Sequence, residues 1–84
     1  MPKAVYFVRR VGVGNQNYSY AGTSSSPDPV TEHRKVLKDW LVENSVRLGV
    51  AIGDQLAIKN QTKRTQWGHF TVTSSGQVRF LGWQ

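Results

Sequence analysis

"DPVTEHRKVLKDWLVENSVRLGVAIGDQLAIKN", residues 28–60, changes its hydrophobic period partway along, and that change decides the fold class. The first part has the 3.6-residue period of a helix. Val30, Leu37, Trp40, Leu41, Asn44 and Leu48 share one face. Asp28 suits the N-cap and Pro29 the first helical position, while Glu32 falls in the first turn, where the macrodipole favours negative charge. Gly49 is a suitable left-handed stop, so the spacing predicts a helix from about Val30 to Leu48. Arg34, Lys35 and Lys38 fall on one flank. Glu32, Asp39 and Glu43 gather on the other and are expected on a solvated face. Lys35–Asp39 and Glu43–Arg47 stand four apart, where a pair contributes about 0.2–0.5 kcal/mol.

After Gly49 the period falls to 2. "VAIGDQLAIKN" turns at Gly53 and Asp54, then alternates with Leu56 and Ile58 facing one way. "GHFTVTSSGQVRFLGW", residues 68–83, reads as a hairpin of Phe70 and Val72, a Ser-Ser-Gly turn, then Val78 and Phe80. Upstream, "KAVYFVRRVGV" is a strand with Val5, Phe7, Val11 and Val13 on one side and Ala4, Tyr6, Val8 and Arg10 on the other. Arg9 interrupts the first side, which is therefore buried in part or bent. "GVGNQN" is a turn, and "YSYAGT" can return as a second strand with Tyr18 or Tyr20 against the first. "TSSSPDP" is a linker by composition.

The order β-(β)-α-β-β-β implies an α+β fold: an antiparallel sheet of four to five strands with one helix packed on one face. Eighty-four residues form a single small basic domain, 1–84, because two cores cannot be built from so short a chain. No Cys is present, which excludes disulfides and thiolate metal sites. The longest apolar runs fall far short of a bilayer span, and the N-terminus lacks the apolar core of a signal peptide. The expectation is a soluble cytoplasmic protein with no membrane partner.

Catalytic chemistry finds no support. His33 and His69 are far apart without metal-ligand spacing, and both are expected to be structural. Asp28 and Asp54 have capping and turn duties available, and no serine has an adjacent base or an elbow motif. "GVGN" stands too far from the helix to act as a phosphate cradle. A non-enzyme without metal or cofactor is expected.

The net charge of +6 points instead to a polyanion. "KNQTKRTQWGHF", residues 59–70, concentrates Lys59, Lys63 and Arg64 with amide groups and the Trp67 indole, and strands carrying Arg9, Arg10 and Arg79 can border it. Basic grooves with stacking rings are how proteins grip single strands. The expected function is therefore nucleic-acid binding, RNA or single-stranded DNA favoured over specific duplex sites. The alternative is a protein-interaction domain, an inhibitor or adaptor that presents a basic face or sheet edge to an acidic partner. Gly68 and a strand follow Trp67, which favours an indole turned onto the core, and Trp83 is expected to pack across the sheet. The chain carries neither the aromatic signature of an RNA-recognition motif, nor the Gly-x-x-Gly loop of KH domains, nor helix-turn-helix spacing.

Overall fold

A computed structural model describes residues 3–12, 14, 16–23, 27–63 and 66–84. The elements run β1 (Ala4–Arg10), β2 (Tyr18–Gly22), α1 (Pro29–Leu48), β3 (Gln55–Asn60), β4 (Gly68–Ser74) and β5 (Gln77–Trp83). The strands form one antiparallel sheet in the order β2-β1-β3-β4-β5, with α1 packed on one face. This is the α+β arrangement that the change of period implies. The stretch "YSYAGT" does return as a strand, placing Tyr18 opposite Val8 and Tyr20 opposite Tyr6. The Ser24–Ser26 part of the linker lies outside the described residues.

Both ends of α1 follow from local chemistry. The Asp28 carboxylate accepts the Thr31 amide at 3.1 Å and the Thr31 hydroxyl at 2.6 Å. Those two bonds hold its acid group below the usual aspartate range. Gly49 stops the helix at φ 67°, a left-handed conformation that side chains with a Cβ resist. Between the caps, Val36, Leu37, Trp40 and Leu41 close against Tyr6, Val8, Leu56, Ile58 and Phe70.

The buried stripe is rotated from the one the hydrophobic pattern outlines. Its rows are Glu32–Val36–Trp40 and His33–Leu37–Leu41, four residues apart, and all six residues are buried. Glu32 therefore does not sit on a solvated flank; it is only 6% exposed. The sheet makes this tolerable by offering two donors, Tyr6 and Asn60. His33 is wholly buried as a structural residue, its Nδ1 2.6 Å from the Pro29 carbonyl oxygen. Lys35 and Asp39 pair at 3.0 Å on an exposed surface, and Arg47 bonds the Asn44 carboxamide.

In β1 the helix covers the Tyr6 and Val8 side, both fully buried, while Val5 on the other side is 44% exposed. Each side carries one arginine: Arg9 stays on the outer side with Val5 and Phe7, whereas Arg10, at the end of the strand on the helix side, is met by the Leu48 carbonyl and Asp54. Trp83 packs on the helix side as expected, with its ring 5.3 Å from His33 and 5.2 Å from Phe80. A Cβ on Gly68 would come within 3.2 Å of that ring, so glycine is what lets the indole lie on β4.

Candidate nucleic-acid interface

The sheet face opposite α1 can be read as rows from the strand register. One row runs Ser19, Phe7, Lys59, and the β3–β4 register continued by one residue adds Trp67. The Trp67 backbone pairs with Gln84 through two hydrogen bonds of 3.2 and 2.8 Å, extending the β4–β5 ladder. The next row is Arg9, Ala57, His69, Gly82, and the third is Gln55, Thr71, Arg79.

Two of these rows meet in one cluster. Arg9 Cζ lies 4.5 Å from the Trp67 ring centroid and Lys59 Nζ lies 4.9 Å from it, with Lys59 also 5.9 Å from the Phe7 ring. These distances fall within the range of cation–π attraction. Trp67 is rooted beside β4 and Arg9 on β1, so indole and guanidinium meet above β3. The small Ala57 leaves room there. Trp67 is thus half-buried on the outer sheet face and is not part of the core, contrary to the packing its neighbour Gly68 suggested.

None of the five acidic side chains shares this face. Four, Asp28, Glu32, Asp39 and Glu43, belong to α1 or its cap, and Asp54 lies in the turn before β3, paired with Arg10 at 3.3 Å. The outer sheet face therefore carries Arg9, Lys59 and Arg79 without an acidic side chain, whereas the helix side carries charges of both signs.

The structure separates the remaining expected contacts. Arg79 is on the same face, one row and three strands from Arg9, roughly 16 Å away at ordinary strand spacings. Arg10 alternates onto the helix side, where Nη1 donates to the Leu48 carbonyl at 2.8 Å and Nη2 pairs with Asp54. It is a tether between β1, the helix end and the β3 turn, and it is not available with the others. Lys63 also departs from the cluster, its Nζ 3.7 Å from Glu32 Oε2. Arg64 lies outside the described residues.

The start of the 61–67 connection is built on the Glu32 network. Glu32 Oε2 accepts the Tyr6 hydroxyl at 2.6 Å and Asn60 Nδ2 at 3.0 Å. Asn60 Oδ1 in turn accepts the Lys63 amide at 2.9 Å, while Gln61 donates to the Val5 carbonyl and Thr62 accepts the Val5 amide. Burial pushes the Glu32 carboxyl up, but the bonds from Tyr6 and Asn60, with Lys63 and His33 nearby, outweigh it and hold the group below the usual glutamate range. Burial and then the Glu32 carboxylate push the Tyr6 phenol well above its ordinary value.

Sequence reasoning missed Phe7 and His69 as members of the outer face, and Glu32 as the support of the loop. The parity of Phe7 and Arg9 was visible, but which parity faced outward depended on how β1 paired. Among the described residues no group of three or more His, Asp or Glu is placed to hold a metal ion, and no helix is long and apolar enough to cross a membrane. No protein-family model matches the chain, and neither a curated protein nor a solved structure shows significant similarity to it.

Proposed function

We propose that the protein is a small basic module that binds single-stranded nucleic acid, RNA or single-stranded DNA, on the sheet face opposite α1. One observation carries this: Arg9 and Lys59 lie over the Trp67 indole on a face that holds none of the acidic side chains. Arg9, Lys59 and Arg79 would neutralise phosphates, and Trp67 with Phe7 would stack bases, each worth about 1–3 kcal/mol. Lys63 would add less because Glu32 already balances its charge. A broad sheet suits splayed bases. A duplex reader needs an element that enters the major groove, and the outer side of α1 carries exposed Val42 and Val46 among charges of both signs.

Titration of labelled single-stranded RNA, single-stranded DNA and duplex DNA at two salt concentrations tests the proposal. The Arg9→Ala, Lys59→Ala double variant should bind all single strands more weakly. It should also flatten the slope of log K against log salt by about 1.4, or about 0.7 per lost phosphate contact. If no nucleic acid binds tighter than about millimolar at low salt, weaker than ordinary non-specific association, the proposal fails. The protein-interaction alternative then gains. Its own support is three exposed apolar side chains, Val42 at 80% and Val46 at 94% on α1, and Ile52 at 67% in the turn before β3.

A further inference from the structure

A groove opens on the outer sheet face beside the cation–indole cluster. It has a volume of about 250 Å³ and is lined by Gln55, His69, Leu81, Gly82, Trp83 and Gln84. We infer that it is a pocket for one unstacked nucleobase, with His69 meeting the base's hydrogen-bonding edge. This rests on the single-strand reading above and names the part of the ligand that the face would distinguish.

The groove exists because side chains are missing on both sides of His69. In register it stands between Ala57, with a lone methyl, and Gly82, with none. Gly82 adopts φ 146°, which disfavours any side chain there. The β4–β5 register shifts between His69 and Phe70, so β5 carries an extra residue, Leu81, at this point. Such bulges re-aim side chains and interrupt pairing. Here the bulge sets the 43% exposed Leu81 at the rim as an apolar wall.

His69 brings an unsettled polar group to this place. Its Nε2 is buried and has no hydrogen-bond partner among the described residues. A buried polar atom without a partner costs free energy that a complementary donor or acceptor can recover. A neutral imidazole offers one donor and one acceptor and can exchange them, so it suits the mixed edge of a base. The Gln55 carboxamide at the groove supplies a further donor and acceptor.

Size and charge narrow the ligand class. The volume falls below the roughly 300–1,000 Å³ of drug-sized sites, which leaves space for one base but not a base pair. Among the described residues no Lys or Arg lines the groove, whereas Arg9 and Lys59 stand beside Trp67 for the phosphate backbone. Gln84 lines the groove and pairs with the Trp67 backbone, making groove and cluster one continuous surface.

The test is titration of homopolymeric oligoribonucleotides of U, C, A and G, each about eight nucleotides long, at fixed and varied salt. Wild type should rank the four over roughly a tenfold range. His69→Ala should bring them within about twofold while leaving the salt slope unchanged, because it removes a base contact and no phosphate contact. Gln55→Ala, on an exposed residue, should weaken the preferred homopolymer in the same sense and guards against loss of fold at position 69. If wild type binds but both variants keep its affinities and ranking, the base pocket is overturned and the single-strand surface stands. If wild type binds none of the four, both fall.

Discussion

Glu32→Ala should be among the most damaging single changes to the fold, although a surface glutamate in a first helical turn is ordinarily dispensable. The side chain is buried, and its Oε2 accepts from Tyr6 and Asn60. Hydrogen bonds to a charged group contribute about 1.5–3 kcal/mol each, so the two together make about 3–6 kcal/mol gross. Removing the carboxylate also relieves part of its desolvation cost, which reduces the net loss to about 2–4 kcal/mol. A domain of 84 residues has roughly 4–13 kcal/mol in all, so the variant should lose a substantial share. With a urea m-value of about 1 kcal/mol/M, the midpoint should fall by about 2–4 M. Circular dichroism or tryptophan fluorescence would follow it. Glu32→Gln keeps a carbonyl acceptor but removes the charge, and its signature is in the pH dependence. The Glu32 acid group is held below its unfolded value of about 4.3. Its contribution is therefore fully present above that pH and is lost as pH falls through the lower folded value. Glu32→Gln should flatten the acid limb of the stability curve, leaving the part due to Asp28. A Glu32→Ala midpoint within about 0.5 M of wild type, or a Glu32→Gln acid limb that superimposes on wild type, would refute the network's role.

Two further outcomes follow from burial. Leu37→Ala should cost about 2–5 kcal/mol because the side chain is fully enclosed between α1 and the sheet, and an unshifted melting temperature would contradict the core described above. Trp67→Ala should weaken single-strand binding by about 1–3 kcal/mol while lowering stability less than Leu37→Ala does, since the indole lies outside the core. Paired melting and titration of the two variants would show it. A larger stability loss at Trp67 than at Leu37, with affinity unchanged, would make the indole a structural lid over β3.

The elements themselves were legible because each depends on local chemistry. The Asp28-Pro29 cap, the Gly49 stop, the alternation of Leu56 and Ile58, and the Ser-Ser-Gly turn act within a few residues of themselves. The candidate site was only half legible. Arg9, Lys59 and Trp67 could be picked out as cation and ring, but their meeting requires β3 to pair between β1 and β4. Alternation already put Arg9 and Arg10 on opposite sides of β1, yet both were expected at the binding surface; which side met the helix, and so removed Arg10, depended on the packing of α1.

From sequence alone came the kind and order of the elements, with the second strand left open, the α+β class and the sign of the charge, since propensity, periodicity and composition are properties of short segments and sums. Only the tertiary structure decided which face of β1 met the helix, that Glu32 would be buried, and that every carboxylate would leave the outer face to Arg9, Lys59 and Arg79. Those outcomes turn on partners distant in sequence. Glu32 is stable inside because Tyr6, 26 residues before it, and Asn60, 28 residues after it, both donate to the same oxygen. A hydropathy pattern scores a carboxylate by its cost in an apolar medium, whereas the fold sets that cost by the hydrogen bonds waiting where the side chain arrives.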